Sequence, residues 1–124
     1  MNKLILVIED NEQNMYLTTF LLEKNGYTVL QARSGAEGLE QVNCCNPALI
    51  LLDIQLPVMD GYAIARALRA IPALDAVPIV AVTSYAMVGD REKILAAGCN
   101  GYIEKPINPD TFVSEIVRYL GGEP

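Results

Sequence analysis

The sequence alternates short apolar runs with stretches of helical periodicity, five times in succession. The first, third and fourth runs, LILVI, ALILL and VPIVAVT, leave almost no polar residue for a solvent-facing side. A strand that is apolar on both faces belongs in a parallel sheet that helices cover on both sides. Because βαβ crossovers are right-handed, the pattern predicts an α/β fold with a doubly wound open sheet.

The element boundaries follow from the apolar runs and from residues typical of helix ends. Ser34 and Glu37 form a capping box that opens the second helix, and Asp60 opens the third. Asn108 is expected to cap the last helix, with Pro109 in its first position. The fourth helix includes DREKILAA, but no residue marks its start. The predicted strands cover residues 4–8, 27–32, 48–52, 77–83 and 101–104.

The composition is that of one cytoplasmic domain. The chain has 124 residues, 52% of them hydrophobic, and can bury a core without cross-links. No apolar run approaches the length of a membrane span or of the apolar part of a signal peptide. Three cysteines without CxxC spacing do not form a disulfide framework, so Cys44, Cys45 and Cys99 are expected to be reduced thiols.

Charge and missing residue types exclude several functions. The net charge is -6 and there is no block of Lys or Arg, which argues against direct binding to nucleic acid or to an acidic membrane. The chain has no histidine, which excludes Ser-His-Asp catalysis, Cys-His catalysis and histidine-ligated zinc. Any phosphohistidine that this chain handles must therefore belong to a partner.

Polar residues collect at the carboxyl ends of four predicted strands, where open α/β sheets bind ligands. Taken singly, each has an ordinary explanation: an exposed turn for the carboxylates, a packed or capping hydroxyl for Thr83, and a surface charge for Lys105. Together, three carboxylates, hydroxyls and an ammonium group would meet at one edge if the first and third strands are neighbours. The residues that follow the first, third, fourth and fifth strands are Glu9, Asp10, Asp53, Thr83, Ser84 and Lys105.

A divalent cation and a phosphoryl group suit this set of side chains. Mg²⁺ prefers hard oxygen ligands and usually takes one or two carboxylates together with phosphate oxygens. Two carboxylates about 5 Å apart repel by roughly 3 kcal/mol at an effective dielectric of about 20. Three carboxylates raise one another's pKa unless a cation lies among them, and Lys105 and a metal ion would supply that charge.

These residues stand in four motifs that resemble the receiver domain of two-component response regulators, the CheY-like family. The motifs are VIEDN, LLDIQLPVMDG, AVTSYA and EKP, in that order, and the match covers the whole chain. EDNxxN at residues 9–14 is similar to single-domain regulators of the DivK type and to receivers of hybrid kinases. The resemblance implies a flavodoxin-like sheet in the order 2-1-3-4-5 and one receiver domain over residues 1–124, without an output domain.

The resemblance also implies the metal site and the nucleophile. Asp53 would accept a phosphoryl group from a phosphohistidine of a partner. Mg²⁺, or Mn²⁺ as an alternative, would be held by Glu9, Asp10, Asp53 and the backbone carbonyl of Gln55. The first acid is Glu9 where aspartate is the commoner residue in the family, and its longer side chain could reach the metal through water.

The remaining roles concern the phosphate and the switch. The phosphoryl group would be bound by Thr83, Ser84 and Lys105. The residues that would change conformation on phosphorylation are Thr83 and Tyr102. A cis peptide bond would precede Pro106. The side chains that would tune dephosphorylation are Gln55 and Tyr85.

The expected function is a signalling switch that catalyses only its own phosphorylation and dephosphorylation. Its partners would be a histidine kinase or a histidine phosphotransfer protein and a downstream protein target, with possible homodimers through helix 4, strand 5 and helix 5. A fragment of a hybrid kinase and a Mg²⁺-dependent phosphatase on a similar fold are the alternatives. The initial methionine and short tail favour a free-standing protein, and no helix-turn-helix for DNA binding follows.

Overall fold

The computed structural model describes residues 3–56 and 60–121, which form a parallel five-stranded sheet in the order β2-β1-β3-β4-β5. This arrangement confirms the predicted fold. No helix in these two ranges is long and apolar enough to cross a membrane. The elements are β1 Leu4–Ile8, α1 Glu12–Lys24, β2 Thr28–Ala32, α2 Gly35–Gln41, β3 Leu49–Asp53, α3 Gly61–Arg69, β4 Ile79–Thr83, α4 Val88–Ala96, β5 Gly101–Glu104 and α5 Phe112–Tyr119, with a 3-10 turn at Pro72–Leu74.

The sheet is buried between two layers of helices. Every residue of β3 and β4 is buried, as their uniformly apolar sequences predict. Successive side chains point to opposite faces, so Ile50 and Leu52 pack towards α2, α3 and α4, whereas Leu49 and Leu51 pack towards α1 and α5. Each fully buried Leu or Ile side chain contributes about 1.5–3 kcal/mol, so β3 has a rigid position in the core.

Side chains cap the first three helices, at the predicted residues Ser34 and Asp60 and at Asn11, which was not predicted. The side chains of Asn11, Ser34 and Asp60 accept hydrogen bonds from backbone amides in the first turns of α1, α2 and α3. The capping box of α2 is altered, because the Glu37 carboxylate accepts from the amide of Arg33, at 3.2 Å, rather than from that of Ser34. A cap one residue earlier still satisfies a free amide of the helix entrance.

The prediction for the start of the last helix is wrong. Helix α5 begins at Phe112, after a turn that Asn108 organises. The Asn108 side chain accepts from the amide of Asp110 and its carbonyl accepts from the amide of Phe112, both at 2.9 Å. The asparagine and proline thus belong to a turn before the helix and not to its first turn.

Two other helix ends could not be read from the sequence. Helix α4 starts at Val88 after Met87, whose side chain makes no capping hydrogen bond. The apolar spacing of Ile64, Leu68 and Ile71 predicts a third helix that includes Ile71, but helix α3 ends at Arg69. Pro57, expected in the turn after β3, and Gly122, expected at the chain's last helix end, fall outside the described residues.

Arg69 joins several segments at the amino edge of the sheet. Its guanidinium group donates to the carbonyls of Gly98, Leu74 and Val77 at 2.8, 2.8 and 2.9 Å. It also donates to the side-chain oxygen of Asn100 at 2.6 Å. One side chain therefore connects the end of α3 to the segments that lead into β4 and β5.

Gly61 allows α3 to start directly against the end of β3. Its amide donates to the Ile54 carbonyl at 3.3 Å. A Cβ atom at this position would overlap the Ile54 backbone, which has no flexible end that could move away. Gly61 thus fixes the distance between α3 and the residue that follows Asp53.

Replacing Gly61 with alanine should lower the free energy of unfolding by about 1–3 kcal/mol, the usual cost of forcing extra atoms into a packed site. Gly89 is the matched control, since a Cβ there meets nothing within 4 Å and the residue lies in α4. Gly89→Ala should raise stability by roughly 0.5–1 kcal/mol through its helix propensity. Urea denaturation measures both, and equal stability of Gly61→Ala and the parent would contradict the predicted overlap.

Candidate metal centre at the carboxyl edge of the sheet

The sheet order brings the polar strand ends together. Strands β1, β3 and β4 are neighbours, and β5 lies beside β4. Glu9 and Asp10 follow β1, while Asp53 and Thr83 are the last residues of β3 and β4. Lys105 follows β5, and its amide donates to the Thr83 carbonyl at 2.8 Å. These five residues, and Ser84 directly after Thr83, are the six predicted from the strand ends, and all of them lie at this one edge.

Three carboxylates form a cluster at this edge. Oxygen atoms of Glu9, Asp10 and Asp53 all lie within 4.8 Å of one another. Glu9 and Asp53 are buried, with 4% and 2% of their surface exposed, whereas Asp10 is exposed. Lys105 Nζ forms an ion pair with Asp53 Oδ1 at 3.0 Å and supplies one positive charge. One cation beside three acids leaves a net negative site that is open to solvent at Asp10.

The crowding of acids changes the protonation of Glu9. Burial, followed by a hydrogen bond to Asp53 and the charge of Asp53, raises the pKa of Glu9 to about 7. The Asn11 amide, 3.2 Å from the Glu9 carboxylate, and the charge of Lys105 act in the opposite direction. Near neutral pH a proton therefore occupies a position between carboxylates where a cation could lie instead. The set of hard oxygen ligands is compatible with a divalent metal ion.

Gln55 links Asp53 to the loop after β4. The backbone amide of Gln55 donates to Asp53 Oδ1 at 2.9 Å. The side-chain oxygen of Gln55 accepts from the backbone amide of Ser84 at 2.8 Å. The bridge between the two loops was not predicted, because it depends on the conformations of the loops and not only on the strand order. The predicted use of the Gln55 carbonyl as a metal ligand and of Ser84 as a phosphate ligand stay predictions.

Thr83 is almost fully buried and its hydroxyl is occupied within its own loop. The hydroxyl accepts from the Tyr85 amide at 2.9 Å and donates to the Tyr85 carbonyl at 3.2 Å. Tyr85 itself has 62% of its surface exposed beside the site. The Lys105–Pro106 peptide bond is cis.

Tyr102 lies on β5, half-buried, and Arg91 covers its ring. The guanidinium carbon of Arg91 is 5.4 Å from the ring centroid. Arg91 is held in place because its Nε donates to the Ala86 carbonyl at 2.8 Å. No local sequence pattern singles out Arg91, since the contact arises from the packing of α4 beside β5.

The raised pKa of Glu9 predicts a pH dependence of stability in metal-free buffer. The folded chain binds a proton more tightly than the unfolded chain, so the stabilisation is complete below about pH 4.5 and is lost as the pH rises through about 7. Between pH 5 and pH 8 the free energy of unfolding should fall by roughly 3 kcal/mol. Denaturation in the presence of a chelator measures this slope.

Glu9→Gln should flatten the slope, because the amide does not titrate. Glu104→Gln is the matched control, since Glu104 is exposed at the end of β5 and lies outside the carboxylate cluster. The explanation is wrong if Glu9→Gln and Glu104→Gln retain the same slope.

The curated relatives of this chain include regulators with the same length. The polar-differentiation response regulator DivK of Brucella ovis is 43% identical over 121 residues, which cover 98% of each chain. The DivK protein of Brucella anthropi is 42% identical over the same share of both chains.

Solved structures show the same fold. The chemotaxis response regulator CheY4 of Vibrio cholerae has a TM-score of 0.92 at 25% identity, with 96% of this chain and 99% of that one covered. The receiver domain of a sensor histidine kinase from Pseudomonas aeruginosa, solved with a magnesium ion in its active-site cleft, has a TM-score of 0.89 at 34% identity, with 98% and 100% covered. The family model described as the response regulator receiver domain matches residues 5–117, and with the relatives above it shows that this chain belongs to the response regulator receiver domains.

Proposed function

We propose that the chain is a phosphorylation-controlled response regulator whose phosphoacceptor is Asp53 and whose cofactor is Mg²⁺. The observation that carries the proposal is the position of Asp53. It is a buried carboxylate paired with Lys105 at 3.0 Å and clustered with Glu9 and Asp10. The magnesium ion in the cleft of the Pseudomonas aeruginosa receiver supports the choice of ion.

The chemistry is an exchange of bonds at phosphorus. A carboxylate oxygen of Asp53 forms a bond to phosphorus, the bond from phosphorus to the imidazole nitrogen of a partner's phosphohistidine breaks, and the imidazole leaves. In such transfers the protein mainly positions groups and neutralises charge on the phosphoryl oxygens. Lys105 is the protein's own cation for this purpose, and the Gln55 amide holds Asp53 in orientation. Bound Mg²⁺ would supply the additional positive charge.

The output is a change in the loop after β4. A phosphoryl group adds about -1.5 to -2 units of charge, which attracts the Thr83 hydroxyl. The hydroxyl can turn towards it only by giving up its bonds to Tyr85. Since the same loop carries the Ala86 carbonyl that holds Arg91, the change reaches the residue that covers Tyr102.

The proposed signalling surface comprises α4, β5 and α5. Tyr102, Glu115, Arg118 and Tyr119 border a hollow of about 310 Å³ on this surface. Rotation of Tyr102 would alter the shape of that hollow and thus the fit of a protein target. A histidine kinase or phosphotransfer protein would donate the phosphoryl group, and a second copy of the chain could use the same surface.

Incubation with phosphoramidate and Mg²⁺ should add one phosphoryl group to the parent protein, as intact-mass spectrometry measures. Asp53→Asn should take up none, because the amide oxygen is a poor nucleophile. Asp110→Asn is the control, since Asp110 is an exposed residue of the turn before α5 and should behave as the parent. Equal uptake by Asp53→Asn and the parent would refute the assignment of the phosphoacceptor.

Tyr85→Ala should shorten the lifetime of the phosphorylated protein. The bulky, exposed Tyr85 lies next to the site and would hinder the water that hydrolyses the aspartyl phosphate. Loss of phosphate over time, after removal of the phosphodonor, measures this effect. The control is Tyr16→Ala, since Tyr16 is an exposed tyrosine on α1. An unchanged decay rate in Tyr85→Ala would rule out the shielding role.

A further inference from the structure

Cys44 and Cys45 lie in the turn between α2 and β3, away from the carboxylate cluster. Cys44 is exposed, Cys45 is half-buried, and their Sγ atoms are 3.6 Å apart. The turn leads into the amino end of β3, whereas Asp53 is its last residue. Four steps along a strand span about 13 Å, so the thiols are remote from the proposed phosphorylation site.

The turn holds both sulfurs on one side of the chain. The amides of Cys44 and Cys45 donate to the same acceptor, the Gln41 carbonyl, at 3.2 and 3.1 Å. The Cys44 thiol also lies 3.4 Å from this oxygen. Neighbouring side chains of an extended chain would point in opposite directions, and this turn brings them together instead.

We propose that Cys44 and Cys45 form a dithiol site that captures trivalent arsenicals. Two sulfurs bonded to one soft ion at about 2.3 Å lie about 3.3–3.8 Å apart as the bond angle goes from about 90°, which is usual for three-coordinate arsenic, to the tetrahedral value. Bonds between arsenic and sulfur have a comparable length, and the observed separation of 3.6 Å therefore suits one shared arsenic atom without rearrangement.

The number of ligands favours an arsenical over a structural zinc ion. Structural zinc sites take four protein ligands. In the part of the chain that the structure describes, the two thiols have no third metal-ligating side chain beside them, whether cysteine or carboxylate. A trivalent arsenic atom that already carries one organic group needs only two sulfurs, which is the number available.

A disulfide between the two residues fits less well. Adjacent Cα atoms are about 3.8 Å apart across a trans peptide. Disulfides usually join Cα atoms about 4.4–6.8 Å apart, and shorter spans are strained. Closing the ring would also require the sulfurs to approach from 3.6 Å to bonding distance. Arsenic capture requires neither the strained Cα span nor the approach of the two sulfurs.

The reaction with an arsenoxide balances without an oxidant. Each sulfur forms one bond to arsenic, and the oxygen bound to arsenic leaves with the two thiol protons as water. Arsenic stays trivalent. A hydrogen bond with Cys44, followed by burial and the charge of Cys44, raises the pKa of Cys45, so this sulfur brings its proton to the reaction.

The test is intact-mass spectrometry of the protein with phenylarsine oxide and excess glutathione. The parent should retain one phenylarsenic group, whereas Cys44→Ser and Cys45→Ser should bind about 10²–10⁴-fold more weakly, because the second bond is no longer intramolecular. Cys99→Ser should bind like the parent, since Cys99 is buried in the core. A small 1,2-dithiol should then remove the phenylarsenic group, whereas glutathione should not.

Retention of the arsenical by either single variant, or its loss from the parent to glutathione, would overturn the proposal. Thermal unfolding of each variant establishes that the serine substitutions in this turn leave the fold intact. Phosphorylation of Asp53 by phosphoramidate serves as an independent readout, and all three variants should keep it. The two proposals therefore succeed or fail separately.

Discussion

The burial of Asp53 at the end of β3 is the constraint on which the site depends. All five residues of β3 are buried, so the acid cannot lower its energy by turning to solvent. Lys105 and the Gln55 amide compensate its charge, and Glu9 responds by keeping a proton near neutral pH. A cation at the cluster would displace that proton, so the same crowding of carboxylates is compatible with a divalent metal ion.

The fold and the positions of the site residues could be predicted because they depend on local patterns. The apolar runs identify β3 and β4, and the acids, hydroxyls and lysine of the site follow from the ends of strands. The strand order and the roles of Gln55, Tyr85 and Tyr102 rested instead on the resemblance to the receiver family. The start of α4 has no capping side chain, and Asn108 serves a turn where it was expected to open α5. In both cases the tertiary context decided between conformations that the local sequence permits equally.

Contacts between elements were the part that the sequence could not supply. The bond from Ser84 to Gln55 requires two loops from neighbouring strands to meet, and the position of Arg91 over Tyr102 requires α4 to lie against β5. Neither Ser84 nor Arg91 stands in a sequence pattern typical of a charged cluster or a helix cap. These are nevertheless the contacts that join the carboxylate cluster to the outer surface, so the coupling within the domain becomes visible only in three dimensions.

Arg69 makes the amino edge of the sheet depend on a single side chain. Its four bonds join the end of α3 to the chain leading into β4 and β5 at the amino edge, where a displacement of one element would strain all of them. Replacing Arg69 would therefore leave three carbonyls and one side-chain oxygen without this donor at the same time, so the end of α3 and the starts of β4 and β5 would loosen together.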